Sequence, residues 1–508
     1  MRNYLGIEFG STRIKALLID EKHNPVDSGD YTWKARFENG VWTYDLPEAI
    51  KGLKAALHGI DNLDDISAMG VSGMMHGHLA FDKDWNLLVP FRTWQCTITA
   101  DAAKELTDLF GFNIPQRWSI AHLYQAILNK EENVGKIAHI TTLAGYMHYL
   151  LTGENVVGVG EASGIFPIDS NICDYDKGML DKFNNLIAKL NLPWKVEDVL
   201  PRVLPAGEIA GTLTKEGVNL ADGLLKQGIP FAPPEGDMGT GMTATNAVAA
   251  ATGNVSAGTS INAMVVLEHP LKNRYEEIDI IATPSGKPVA MVHCNNCTNE
   301  TNAWVSLFKE VTELYGFSVP DSQLYRKLYE KSLEGDTDCD GVMVCNYMAG
   351  ETIVHMNEGR PLVTRRPDSK FSLANFFRSQ LYATIATLKL GLDILAREKV
   401  TIKSMTGHGG LFKTPGVGQR YMAAACNAPI TCMETAGEGG PFGIALLAAY
   451  CVNKKADQSL EDYLSKNVFD NVKGVTLEPQ KEEIDGFNAY MEQYKKMLNV
   501  EQAAIENM

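Results

Sequence analysis

A hairpin with a hydroxyl-rich turn occurs twice in this chain, and each copy opens one half of it. Residues 4–20 read as an apolar strand, a tight turn at Gly10-Ser11-Thr12 and a returning apolar strand. Residues 254–268 repeat the arrangement, with the turn at Gly258-Thr259-Ser260 and Ile261 through Leu267 as the return. Either turn alone is ordinary, because glycine and small hydroxyl residues are what tight turns use. The recurrence is what carries information. A chain that begins each half with the same hairpin reads as two related α/β domains facing each other across a cleft. The domains are expected at 1–246 and 247–508, with the boundary near residues 247–253, where an Ala-rich helix gives way to the second hairpin.

Composition agrees with two self-sufficient domains and narrows the partners. At 508 residues and 45% hydrophobic content, the chain is long for one domain and has ample core-forming material. Nine cysteines, odd in number and scattered, form no framework, which fits a reducing compartment and makes the cytoplasm the expected location. The first residues run straight into a strand without a basic flank and apolar signal core, and no apolar run is long enough to span a bilayer, so no membrane is expected. A net charge of -16 argues against nucleic acid, which is held by clustered Lys and Arg. An anionic ligand would then be held by backbone donors or a metal ion. Apolar residues at three-to-four spacing predict helices over 100–110, 120–132, 137–151 and 374–396, and one or two charged amphipathic helices over 481–508.

Two near-motifs point to other functions and fail on their details. Gly239-Thr240-Gly241-Met242-Thr243-Ala244 matches the loose dinucleotide fingerprint of a dehydrogenase, yet Pro233-Pro234-Glu235 separates it from the preceding strand and no acidic residue is placed to hold a ribose. Residues 407–414 approach a Walker A loop, but Phe412 stands where that loop needs glycine. The pair Cys294 and Cys297 lacks a second Cys or His pair at metal spacing and reads as incidental.

Six segments, in order along nearly the whole chain, resemble the FGGY carbohydrate kinases, and within them the ketopentose kinases. Gly6 through Thr12 is similar to the first phosphate hairpin, and Gly73-Met74-Met75-His76-Gly77 to the Met-His-Gly sugar loop of xylulose kinases. Pro233-Pro234-Glu235-Gly236-Asp237 resembles the catalytic-aspartate loop, and Gly258-Thr259-Ser260 the second phosphate hairpin. Asn346 through Glu351 resembles the segment before a long helix. Gly409-Gly410 with Phe412-Lys413-Thr414-Pro415 and Gln419 resembles the adenosine loop, followed by Glu438-Gly439-Gly440 opening a last helix. Two departures stand out. Glu8 occupies a position where the family usually carries Asp, and Trp94-Gln95-Cys96-Thr97 replaces a Trp-Asn-Asp run, which bears on how sugar hydroxyls are read.

The resemblance implies the actin-like, ribonuclease H-like architecture and transfer of the terminal phosphoryl group of ATP to a sugar alcohol, where catalysis is mostly positioning and charge stabilisation. It assigns ATP contacts to Gly10, Ser11, Thr12, Gly258, Thr259, Ser260, Gly409, Gly410 and Phe412, and sugar contacts to Met75, His76, Gly77, Trp94 and Asp237. Asp237 is the expected base on the sugar hydroxyl; Glu8 and Asp237 are expected to hold Mg2+ through its waters. A lone Asp after glycine is more often a turn residue and a lone His more often core, but both sit inside matching loops. The expected acceptor is D-xylulose or L-ribulose. Another sugar or polyol, or a non-catalytic ATP-driven switch, stays open, as does a homodimer. Closure about residues 247–253 on sugar binding is expected to exclude water from ATP.

Overall fold

The computed structural model describes residues 2–433, 439–470 and 472–508. The chain forms two compact units. Unit 1 gathers Met1–Val248, Asp279–Val289 and Glu438–Asn471; unit 2 gathers Ala249–Ile278, Ala290–Gly437 and Val472–Met508.

Unit 1 is built on the first hairpin. Strand Asn3–Phe9 pairs antiparallel with Arg13–Ile19, from Tyr4 opposite Ile19 to Phe9 opposite Ile14, which confines the turn to the residues between. On its other edge Asn3–Phe9 runs parallel to Ile66–Gly73, which runs parallel to Glu235–Gly236, while Pro25–Thr32 pairs with the hairpin's second strand. Tyr4, Leu5, Ile7 and Phe9 are all buried, so neighbouring side chains on both faces are covered. Leu5, Ile7 and Val71 join Leu53, Ala56 and Leu57 of helix Leu46–His58 in one core, each large aliphatic side chain contributing about 1.5–3 kcal/mol by burial. Helix Gly439–Asn453, apolar nearly throughout, also lies against this sheet. Its approach is close: a Cβ on Gly6 would stand 1.9 Å from the Pro441 carbonyl oxygen. Only glycine permits that contact.

Unit 2 repeats the order of strands. Thr252–Ala257 pairs antiparallel with Ile261–Val266 and parallel with Ser404–His408, which runs parallel to Ile430–Met433. The strand Pro288–Cys294 neighbours Ile261–Val266, and Gly474–Leu477 closes the far edge. Reading outward from each hairpin, the two sheets therefore match strand for strand over five positions, which is the duplication that the recurrent turns predict. Helix Leu373–Arg397 is buried along most of its length and carries Arg378, which pairs with Glu483 at 2.5 Å.

Local expectations differ from the structure in three places. The helix expected from 137 begins at Leu143, because His139–Thr141 is a strand paired with Leu79–Phe81 and the Thr142 side chain caps the Gly145 amide. The Ala-rich helix before the second hairpin stops at Ala244: the Thr243 and Thr245 hydroxyls donate to carbonyls one turn back, and Asn246 takes a left-handed φ of 53°. The helix expected over 120–132 ends at Leu128, with Lys130 at a left-handed φ of 55°. Residues 481–507 form a single helix, one of the two expected arrangements, with Phe487, Tyr490, Met491, Tyr494 and Met497 as its buried stripe. Among the described residues no helix is long and apolar enough to cross a membrane, and all nine cysteines are free.

Candidate active site

In unit 1 the Met-His-Gly loop follows directly from strand Ile66–Gly73, and its geometry is fixed by two left-handed residues in succession, His76 at φ 71° and Gly77 at φ 85°. A non-glycine residue in that region is held there only by its surroundings. Here the Gly77 amide donates to the Arg117 carbonyl at 3.0 Å, the Ser119 hydroxyl donates to the Gly77 carbonyl, and the His76 ring stacks on Trp118 with centroids 6.3 Å apart. Arg117 in turn pairs with Asp279, which also accepts from Asn113 at 3.0 Å.

Asp237 starts helix Asp237–Ala244 immediately after strand Glu235–Gly236, so the strand-to-helix step aims its carboxylate. Its Oδ1 accepts from the Met75 amide at 3.2 Å, which joins the aspartate to the Met-His-Gly loop. Burial pushes its pKa up to about 6, offset by the Met75 and Met238 amides. Glu8, near the end of the first strand, is pushed up to about 7 by burial and then by the neighbouring Asp237 charge, with Lys15 opposing. Two further carboxylates lie behind. Glu235 accepts from the Glu161 amide at 2.8 Å and the Gly160 amide at 3.2 Å, and burial raises it to about 8. Glu161 is pushed well above the usual carboxylate range by burial, with the Thr142 hydroxyl drawing it back.

Glu8 and Asp237 fit a hydrated magnesium ion, which takes oxygen ligands, keeps several waters and needs one or two carboxylates beside phosphate. Among the described residues there is no group of three or more metal-ligating side chains.

The first turn follows Glu8 by two residues and is held from behind. Trp33 Nε1 donates to the Gly10 carbonyl at 2.7 Å and the Tyr44 hydroxyl to the Ser11 carbonyl at 2.7 Å. Trp94, expected on the sugar, donates through Nε1 to the Ser11 hydroxyl of the first turn at 3.3 Å.

In unit 2 the second turn and the Gly409-Gly410 loop are neighbours. Strands Thr252–Ala257 and Ser404–His408 end side by side, and a Cβ on Gly409, whose φ is 97°, would stand 2.4 Å from the Ala257 carbonyl oxygen just before the turn. Gly410 and Phe412 lie in the short helical turn that follows, with the Phe412 ring over Gly407. The Gly258 carbonyl accepts from the Thr298 hydroxyl at 2.8 Å and amide at 3.2 Å, and the Thr259 carbonyl from the Cys297 amide at 3.0 Å. Asn296 ties this segment to the next loop: its Oδ1 accepts from the Met348 and Ala349 amides and its Nδ2 donates to Glu351.

Each unit thus groups its own set of sequence-identified residues: Glu8, Gly10 to Thr12, Met75 to Gly77, Trp94 and Asp237 in unit 1, and Gly258 to Ser260, Gly409, Gly410 and Phe412 in unit 2. Glu438 lies outside the described residues. The dinucleotide-like glycines fall inside helix Asp237–Ala244 and not in a strand-to-helix turn. Cys294 and Cys297 are buried, and burial pushes the Cys297 thiol up to about 12. Sequence reading missed Glu235, although a carboxylate between Pro-Pro and Gly-Asp after an apolar strand is a visible oddity. It also missed Trp33, Tyr44 and Thr298, which stand in no motif.

The described geometry coincides with strong family matches. The model for the FGGY family of carbohydrate kinases, N-terminal domain, matches residues 3–243, and that for the C-terminal domain matches residues 253–452. A xylulose kinase of Haemophilus influenzae is 21% identical over 463 residues, covering 86% of this chain and 89% of its own. A glycerol kinase of Thermococcus gammatolerans is 25% identical over 254 residues, covering 46% of this chain and 48% of its own. The crystal structure of a xylulose kinase from Lactobacillus acidophilus superposes with a TM-score of 0.80 at 16% identity, covering 98% of both chains.

Proposed function

The chain belongs to the FGGY family of carbohydrate kinases and is an ATP-dependent sugar kinase, and from that premise we propose that its acceptor is a ketopentose, D-xylulose or L-ribulose. The observation that carries this reading is the bond from the Met75 amide to Asp237, which couples a carboxylate to the Met-His-Gly loop. A carboxylate so held can orient one sugar hydroxyl and accept its proton as the bond to phosphorus forms. Xylulose kinases among the relatives, matched over most of the chain, support the same acceptor class.

Each part of the chemistry has residues suited to it. The amides of the turns at Gly10-Ser11-Thr12 and Gly258-Thr259-Ser260 accommodate phosphate oxygens without a basic surface, consistent with the net charge of -16. Gly409, Gly410 and Phe412 receive the adenosine, and Met75, His76 and Gly77 the sugar; Trp94, bonded to Ser11, borders phosphate and sugar alike. Magnesium, when bound, neutralises charge on the transferring phosphoryl group, and Glu8 and Asp237 would hold its waters. Placing Glu8 where the family carries Asp moves the carboxylate outward by one methylene and leaves this role intact.

The test is a panel of pentuloses, hexuloses, polyols and aldoses assayed with ATP and magnesium. D-xylulose or L-ribulose should give the highest kcat/KM. A polyol ranking first would move the acceptor toward that of the glycerol kinase relatives. ATP consumption independent of every acceptor would replace the kinase reading with that of a nucleotide switch.

A further inference from the structure

Both turns have their carbonyls tied back, and the ties determine where the amides point. In a trans peptide the carbonyl of one residue and the N–H of the next point in opposite directions. No described peptide is cis. Trp33 Nε1 holds the Gly10 carbonyl at 2.7 Å, the Tyr44 hydroxyl holds the Ser11 carbonyl at 2.7 Å, and the Trp33 amide holds the Thr12 carbonyl at 3.2 Å. The amides of Ser11 and Thr12 therefore face away from Trp33 and Tyr44. In unit 2 the Thr298 hydroxyl and amide hold the Gly258 carbonyl and the Cys297 amide holds the Thr259 carbonyl. The amides of Thr259 and Ser260 are turned outward by the same logic. Two successive amides pointing one way form an anion-binding concavity.

We propose that Trp33 and Tyr44 in unit 1, and Thr298 in unit 2, are positioning residues that set the phosphate-facing amides of the two turns. The inference rests on reading those turns as phosphate sites. The braces are themselves rigid. Trp33, Tyr44 and Thr298 are 3%, 4% and 7% exposed, too buried to serve as ligand contacts first. The Trp33 and Tyr44 rings pack with centroids 4.5 Å apart. Thr298 follows Asn296, whose amide makes four bonds into residues 348–351, and Cys297, whose carbonyl accepts from Asn346 at 2.9 Å. A free turn would sample other peptide orientations and would have to lose that freedom on binding; a braced one has lost it already.

The experiment removes single hydroxyls and leaves the packing. In Tyr44→Phe and Thr298→Val, affinity for the non-hydrolysable analogue AMP-PNP should fall about 3- to 10-fold each, the range expected for one lost hydrogen bond. Adenosine and ketose affinities should hold, Thr298→Ser should restore AMP-PNP binding, and the double variant should show the product of the two losses. Unchanged AMP-PNP affinity in both variants overturns the proposal. So does equal loss of AMP-PNP and adenosine with a lowered melting temperature, which marks a merely structural brace. Backbone amide resonances separate the underlying reading: Ser11, Thr12, Thr259 and Ser260 should shift with AMP-PNP and not with adenosine in the unaltered protein. Without that shift the turns are not phosphate sites and the bracing inference falls with them; with it, the variants decide the braces alone.

Discussion

The two units share a five-strand order and carry different residues at equivalent positions. In each, a hairpin turn leaves the sheet beside a loop that follows the neighbouring parallel strand: Met75-His76-Gly77 after Ile66–Gly73 in unit 1, and Gly409-Gly410 after Ser404–His408 in unit 2. One loop is assigned to sugar and the other to adenosine. Two residues before the turn glycine, unit 1 places the carboxylate of Glu8 and unit 2 the hydroxyl of Ser256. The third parallel strand of unit 1 delivers Asp237. The difference teaches that, in the proposed site, the duplicated frame supplies backbone amides twice, whereas the carboxylates assigned to the chemistry, Glu8 and Asp237, stand in one copy.

That asymmetry is open to direct challenge. Asp237→Asn should lower kcat by on the order of 10²–10⁴-fold with ATP affinity nearly unchanged in steady-state kinetics. Near-normal turnover would mean the base lies elsewhere and the units are less different than they look. His76→Ala should weaken ketose use by roughly 5- to 150-fold, the cost of a sugar hydroxyl left without its partner, while AMP-PNP titration stays unaltered. The matching change in unit 2, Gly409→Ala, should do the reverse, impairing nucleotide binding and sparing the sugar. Glu8→Gln should raise the magnesium concentration for half-maximal rate by about tenfold and leave the ketose KM alone, because the side chain is proposed to hold the metal's waters and not the sugar. Ser256→Ala should change neither.

The smallest effect concerns the braces. That of unit 1 ends in Trp33 and Tyr44, and burial raises the Tyr44 pKa above its usual value, so it stays neutral through the working range. That of unit 2 includes Glu351, which burial raises to about 7 against bonds from Asn295 and Asn296. A carboxyl whose folded pKa lies above its unfolded value of 4.5 contributes stability that is complete below pH 4.5 and lost as the pH rises through about 7. Glu351→Gln should therefore melt higher than the unaltered protein at pH 8, with the advantage gone at pH 4.5, by calorimetry at both pH values. An advantage that does not vary with pH would show that Glu351 is not the titrating group.

The sequence by itself determined the repeat and the local chemistry. Gly10-Ser11-Thr12 and Gly258-Thr259-Ser260 are legible because a tight turn constrains residue type within four positions, and Asp237 and His76 because their loops are contiguous motifs. Helix 100–110 was legible because burial on one face imprints a period of 3.6, whereas Leu373–Arg397 is buried all round over 374–388 and was legible from the length of its apolar run. What lies across the chain was not legible. Trp33 and Tyr44 reach the first turn from the residues just after strands Pro25–Thr32 and Val41–Thr43, in no motif, and Thr298 reaches the second from 40 residues away. Helix Gly439–Asn453, late in the chain, returns to unit 1 against Gly6. Nothing local marks such partners, because a hydrogen bond or a close glycine contact depends on distance in space. Residue type and spacing encode only neighbours along the chain, so the sequence alone fixed which chemistry was present, and the tertiary structure decided what holds it in place.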